Sequence, residues 1–552
     1  MLGWQLPLTF KGWAPLMTHN YPWSTKLPAG SSSTVWDAIV VGSGIGGMTC
    51  AALLARLGQR VLVLEHHYVP GGFTQTFTRK GWTWDVGVHA VGEVDERAML
   101  GKVLRDLTGQ RLNWASLGPV YDSFDFPDLR IDFASDRRAF HAALLAAFPK
   151  ESAAIAEYGR RTREVAAAMR TYYLSRLVAP WAAPVTDRLI AGRAHHLLQE
   201  TTEEVLRRFV KDERLRRVLT AQWGYYGSPP GRSSFAIHAL VARHFQHGGY
   251  YPVGGSGRIA VELLQTVKDS GGATRIRADV ETLIVEKGRV TGVRLRDGEE
   301  LRARRVVSAI GAQATVARLL PAAERQARWA QSIAGLSQSP AHVCLYLGFR
   351  GDIRKAGAGP ANRWFYETWS GETEAWHPDR GEQEAPVLYC SFPSLKDPQH
   401  DAGPRELHTG EVVTFVPDAL TSRYRDARWR RRGAEYDALK RDWSERLLAQ
   451  FFRHMPGLKP YLDWVELSTP ATTETFTRAP RGAIYGLEPT PGRYANPYLR
   501  PRTPLHGLFL AGGDMASVGV MGAMVGGLLC GAAMEPLRSI AHLRKAAAHI
   551  SR

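Results

Sequence analysis

Cysteine is scarce in this chain of 552 residues: Cys50, Cys344, Cys390 and Cys530 lie far apart with no C-x-x-C pair. That spacing supports neither a zinc site nor a disulfide framework and favours a reducing compartment. A basic n-region leading into a continuous apolar stretch is missing, so no secretory signal is expected and the cytoplasm is the expected location. No internal repeat orders the 54 glycines and 32 prolines, and 44% apolar with 22% charged residues is ordinary globular usage. Collagen-like, coiled-coil and wholly disordered chains are thereby excluded. Acidic residues are the minority: 70 Lys plus Arg against 53 Asp plus Glu leave a net charge of +17. The excess favours an anionic partner, whether nucleic acid, a phospholipid surface or a phosphate-bearing cofactor. Residues 515–534 hold no charge at all and are about long enough to cross a bilayer. Gly519, Gly522, Gly526, Gly527 and Gly531 dilute that run, and a strand-like Leu508-Phe509-Leu510 with Asp514 precedes it. A buried glycine-rich helix is expected there rather than a membrane span.

The length exceeds one ordinary core of roughly 100 to 200 residues. Residues 1–34 read as an extension, with Trp4, Trp13, Trp23, Lys11 and Lys26 but no acid. It is either an arm packed on the body or an interfacial anchor. Trp36-Asp37-Ala38-Ile39-Val40-Val41 reads as a buried strand, 42–47 as a turn, 48–57 as a helix and Val61-Leu62-Val63-Leu64 as a second strand. This opens a first nucleotide-binding segment, 35–121. Residues 122–245 read as mainly helical, with Thr201-x-x-Glu204 as a capping box. Strand and turn patterns resume over 246–339, including a hairpin signal at Lys287-Gly288, and are interrupted by a strand-rich segment, 340–469. Within it, Tyr436, Leu439, Trp443 and Leu447 mark one face of a basic amphipathic helix. Residues 470–552 return to strand, acid and glycine-rich helix. Three returns to one lobe with two excursions between them describe a discontinuous two-domain protein.

Gly42-x-Gly44-x-x-Gly47 directly follows a strand and opens a helix. Gly42 permits the tight turn, Gly44 lets a pyrophosphate approach the backbone, and Gly47 lets helix and strand close up. Glu65 ends the second strand, where an acid accepts hydrogen bonds from a ribose hydroxyl pair. Gly71-Gly72 follows, and a second strand-to-helix glycine turn, Ala511-Gly512-Gly513-Asp514, lies near the far end. A nicotinamide dehydrogenase has no evident need of that second turn. A flavin does, because a helix start near Ser517 can stabilise negative charge on the reduced ring. Asp514 would bond the ribityl or pyrophosphate side, cap that helix, or do both.

These motifs, together with Leu64-Glu65-His66-His67-Tyr68-Val69-Pro70-Gly71-Gly72, Asp85-Val86-Gly87-Val88-His89 and Val518-Gly519-Val520-Met521-Gly522-Ala523, resemble the phytoene desaturase, carotenoid isomerase and retinol saturase superfamily. The likeness runs from about Asp37 to Met534 and is nearest to retinol saturases and their bacterial relatives. It implies an α/β fold: a discontinuous Rossmann-type FAD domain of the glutathione reductase or amine oxidase kind, with an inserted α+β substrate domain and a helical lid. It also implies redox or redox-assisted isomerisation of C=C bonds in a polyene or other lipid. Matched to its motifs, Gly42, Ser43, Gly44, Gly46 and Gly47 hold the pyrophosphate, and Glu65, with His66 beside it, the adenosine half. Gly72 matches the glycine pair, Val280 the adenine, and Gly513, Asp514, Val520, Gly522 and Ala523 the flavin end. Phe73 stands where many amine oxidases and plant-type desaturases carry Arg, which counts against a lipid amine oxidase.

No acid/base constellation announces itself. His89 is the first candidate for a catalytic group, polarising substrate or exchanging a proton. His238, Tyr250 and Tyr251 are candidates for the substrate channel. His66-His67 has no third ligand spaced to join it, so no metal is expected. The run Arg428-Trp429-Arg430-Arg431-Arg432 reads as a solvated face or a phospholipid contact, and no reader module argues for nucleic acid. The expected protein is a peripheral-membrane flavoenzyme that saturates, desaturates or isomerises an isoprenoid or unsaturated fatty acyl lipid, with NAD(P)H as one candidate electron donor. A flavin-bearing lipid carrier without turnover is the alternative, and an enzyme that oxidises a lipid amine or inserts oxygen is a third reading.

Overall fold

The computed structural model describes residues 21–28, 34–370 and 375–548. Most of the 1–34 extension therefore lies outside the described residues. Residues 21–28 lie on the body, where Ser24 pairs with the backbone of Thr274 and Ile276.

The chain's first strands, Ala38–Val41 and Val61–Leu64, are buried at every position. Runs of apolar residues with no polar alternation suit a parallel sheet covered on both faces. They form the middle of a five-stranded parallel sheet ordered Leu508–Leu510, Val306–Ser308, Ala38–Val41, Val61–Leu64, Ala273–Arg275. Strands separated by hundreds of residues thus share one nucleotide-binding sheet. The Lys287-Gly288 hairpin joins antiparallel strands Val280–Glu286 and Arg289–Leu295.

Helix Ile45–Arg56 follows the first glycine turn and helix Gly519–Met534 follows the second. The two pack on each other through glycine. A Cβ on Gly46 would lie 2.4 Å from Gly512 Cα, and one on Gly526 would lie 1.9 Å from Gly512 O. Only hydrogen fits at either place, so composition that looked like a diluted membrane span is what lets the two turns meet. Among the described residues no helix is long and apolar enough to cross a membrane.

The second lobe is a seven-stranded sheet ordered Leu462–Ser468, Ala341–Arg350, Leu407–Val416, Val387–Ser391, Asn362–Tyr366, Val120–Phe126, Leu129–Ala134. Val343, Leu345, Leu347, Leu388 and Val412 on one face pack against helix Ala434–His454 through Trp443, Leu447 and Phe451. By the two-residue strand period, His342, Cys344, Val413, Phe415 and Tyr389 face the other way.

One expectation is corrected here. Residues 120–134 open the 122–245 insert not as helix but as a hairpin, Val120–Phe126 with Leu129–Ala134. Asp122, Ser123, Asp125 and Asp132 interrupt its apolar pattern, yet Phe124 and Phe133 are buried and their rings lie 4.4 Å apart. The helices follow, from Arg137–Ala147 to Phe235–His244, and Thr201 with Glu204 forms the capping box.

Candidate flavin and substrate site

One cavity is lined from both lobes: by Glu65, Val280 and the two glycine turns of the nucleotide-binding lobe, and by Trp364, Tyr389, Val413 and Phe415 of the seven-stranded sheet. Of the residues expected at the cofactor, Gly42, Ser43, Gly44, Gly46, Glu65, His66, Gly72, Val280, Gly513, Asp514, Val520 and Ala523 all line it. Gly47 instead closes the turn, since a Cβ there would lie 2.2 Å from Gly42 O. Gly522 does not reach the cavity lining and packs on its own helix start, 2.3 Å from Ser517 O by the same measure.

Glu65 is fixed on four sides. Its Oε2 accepts from the Ser43 amide at 3.0 Å and the Ser43 hydroxyl at 2.6 Å, and its Oε1 from His66 Nδ1 at 2.7 Å and the His67 amide at 2.8 Å. Burial alone would raise its pKa, but His66, Ser43 and the His67 amide outweigh it and hold the carboxyl at about 2. Asp514 does not cap its own helix, whose N-terminal residue has no side-chain cap. It accepts from the Ala312 amide at 2.7 Å and the Leu487 amide at 3.1 Å, tying three loops at the flavin end.

The donor set fits a flavin dinucleotide. A Cβ at Gly44 or Gly512 would meet nothing within 4 Å, so both turns present bare backbone to the cavity. His66 Nε2, His67 Nε2, Gln75 Oε1 and His342 Nδ1 are buried there without hydrogen-bond partners, as groups awaiting a polar ligand are. When bound, a flavin supplies hydride exchange with carbon.

His89 lines the cavity. Behind it stand groups that sequence reasoning missed. Glu411, on the cavity side of its strand, has Oε2 2.8 Å from His89 Nδ1, and its Oε1 accepts from the Asp85 amide at 2.8 Å. Asp85 accepts from the Tyr251 hydroxyl at 2.6 Å and from Ser256. Lys396 Nζ donates to His89 O and Ser391 Oγ, each at 2.7 Å, and to Asn362 Oδ1. Burial pushes Glu411 up to about 8 and Asp85, with Glu411 beside it, up to about 7. Burial and then Lys396 push His89 down to about 3, and burial brings Lys396 down to about 8. A lone acid within the buried strand Leu407–Val416 was the available signal for Glu411.

The expected channel residues are corrected. His238 does not line the cavity: it is buried between Tyr158 and Tyr226, whose hydroxyls lie 3.0 and 3.2 Å from its ring nitrogens. Tyr251 is committed to Asp85. Tyr250 sits at the surface side, its hydroxyl donating to His247 O and accepting from Arg97.

Two glycine turns closing on one cavity, with an ionised acid at the second strand's end, define a two-lobed flavin-dependent oxidoreductase. The model of the flavin containing amine oxidoreductase family matches residues 45–533, and the chain belongs to that family. Within it the chain falls in the retinol saturase and carotenoid isomerase group. Human all-trans-retinol 13,14-reductase is 30% identical over 526 residues, covering 90% of this chain and 85% of that protein. The chloroplastic prolycopene isomerase of Arabidopsis thaliana is 26% identical over 526 residues, covering 92% and 83%. An oxidoreductase from Methanosarcina mazei shares the fold, with a TM-score of 0.59 at 15% identity over 89% of this chain and 98% of its own.

Proposed function

We propose that this enzyme adds hydrogen across a C=C bond of a conjugated isoprenoid lipid such as retinol, with NAD(P)H as the reductant to test. The observation that carries the reading is the aromatic and aliphatic wall that Trp364, Tyr389, Val413 and Phe415 of the second sheet give the same cavity. An apolar polyene gains about 0.8 kcal/mol for each CH₂-sized group buried there. Phe73, in the cavity wall, adds bulk and no charge. His89, the polar group beside that wall, is placed to meet the substrate. The human relative's name is that of a reductase acting on such a lipid.

Such a substrate partitions into membranes, and a phospholipid surface is the proposed source. Trp181, Leu189, Val185 and Leu174 form an apolar surface on the lid, with Trp181 86% and Leu189 78% exposed. Exposed Arg170 and Arg188 lie beside it and make no ion pair among the described residues. Arg432 of the basic run, by contrast, is buried against Tyr424 and Ala471.

The test is anaerobic incubation of FAD-loaded protein with reductant and all-trans-retinol or a carotenoid. A product heavier by two hydrogens supports saturation. Recovery of only geometric isomers, or of unchanged lipid from every polyene tried, overturns it.

A further inference from the structure

Adding hydrogen to a C=C bond requires a hydride at one carbon and a proton at the other, and beside the aromatic wall of the cavity His89 is backed by the buried carboxyl of Glu411. His89 Nδ1 and Glu411 Oε2 stand 2.8 Å apart, and neither makes a well-formed hydrogen bond to any group. Two buried polar atoms in that relation are costly unless a proton lies between them. We propose that Glu411, acting through His89, is the proton store for the saturation reaction. This inference rests on the function proposed above.

The surroundings decide which partner holds the proton. Facing Glu411 are the Asp85 amide and carboxyl from the end of strand Trp82–Asp85, and Tyr346 and Cys344 from strand Ala341–Arg350. Ser391 and Tyr389 face it from strand Val387–Ser391, and Lys396 from the turn after that strand. Tyr251 closes the far side of Asp85, and Asp122 lies within reach of Lys396. Two carboxyls, Asp85 and Glu411, share this dry volume with the Lys396 ammonium, and Lys396 opposes a positive charge on His89. Both carboxyls cannot be ionised at once without leaving an uncompensated negative charge. Lys396 balances one, so the other keeps its proton. Asp85 accepts from both Tyr251 and Ser256, as a carboxylate does, whereas Glu411 Oε2 has no donor, so the spare proton rests on Glu411.

The step balances. A bound flavin would supply the hydride for one alkene carbon; the other carbon takes the Nε2 proton of neutral His89, whose Nδ1 faces Glu411. The Glu411 proton passes to His89 Nδ1, leaving the ring neutral and Glu411 a carboxylate beside Lys396. A proton from water then reaches His89 Nε2 as Nδ1 hands its own back to the buried Glu411, which restores both groups. His89 is the catalytic residue by contact, while Glu411 and Lys396 position and charge it.

Glu411→Gln tests the idea, because the amide still accepts from Asp85 but has no ionisable proton. Infrared spectra of the resting protein at neutral pH should show a carboxylic acid C=O stretch that shifts in D₂O and disappears in E411Q. Lipid-dependent reoxidation should slow by roughly 10²- to 10⁴-fold in E411Q, with flavin content unchanged and KM altered less than the rate. If E411Q folds poorly, His89→Gln should show the same rate loss. A full-rate E411Q or H89Q enzyme, or a wild-type protein without the acid band, overturns the proton store. A wild-type enzyme that saturates no polyene overturns the function itself, and the infrared comparison still reports Glu411.

Discussion

Ser43 and Glu65 are locked together: one carboxylate oxygen accepts both the Ser43 amide and the Ser43 hydroxyl, at 3.0 and 2.6 Å. The first glycine turn is thereby pinned to the end of the second strand before any ribose arrives, which lowers the ordering cost of binding. Glu65→Ala removes this clamp, and charge-assisted hydrogen bonds are worth about 1.5–3 kcal/mol each. Flavin affinity should fall at least roughly tenfold, as read by flavin retained after dialysis. Full occupancy in that variant would contradict the assigned role.

The same carboxyl makes an acid-limb prediction. Its pKa falls from 4.5 to about 2 on folding. A depressed acid contributes stability above its unfolded value and loses it as pH drops through the folded one. Glu65→Gln should therefore flatten the loss of stability between pH 4.5 and 2 seen by denaturant titration, while the wild type declines. Glu411 has the opposite sign. Raised to about 8, it contributes stability below 4.5 that is lost as pH rises to 8, so E411Q should flatten that limb instead.

The meeting of the two turns predicts a steric result. Gly526→Ala drives a methyl into Gly512 O and should cost about 2–3 kcal/mol or more, with loss of flavin. Gly192→Ala is the control: it sits in helix Ala183–Leu198 with nothing within 4 Å. Calorimetry should find it about 0.5–1 kcal/mol more stable than the wild type.

Lid and C-terminal segment share one carboxylate. Arg176 and Arg500, both buried, donate to Asp187 Oδ2 at 2.7 and 2.8 Å. Asp187→Ala leaves two buried guanidinium groups without a counter-charge and should cost about 3–5 kcal/mol. Chemical denaturation should show this as a lower midpoint.

Membrane contact can be separated from catalysis. Trp181→Glu with Leu189→Glu should abolish flotation with anionic phosphatidylserine vesicles while leaving turnover of detergent-dispersed lipid intact, since both side chains are exposed. Unchanged flotation, with loss on removing residues 1–34 instead, would place the contact on the N-terminal arm.

The sequence made the cofactor half legible because its signals are local. Strand, Gly42-x-Gly44-x-x-Gly47, helix and Glu65 sit within one short segment, and the second turn repeats the strand-to-helix logic. The substrate half was harder to read because its residues converge only through sheet pairing. His89, Lys396 and Glu411 come from three separate segments, and only His89 stands in a motif, Asp85-Val86-Gly87-Val88-His89. The 120–134 hairpin was hidden by polar residues that pair inside the protein: Asp122 is buried among Asn362, Tyr225 and Gln222. His238 shows the converse, a conspicuous histidine that two tyrosines account for.

The most direct test of the central claim is anaerobic stopped-flow absorbance of the flavin-loaded protein. The bound flavin should bleach on reduction and regain its colour when a conjugated polyene is mixed in, with saturated product in matching amount. A protein that takes up no flavin, or a bleached flavin that no polyene reoxidises, would contradict the account.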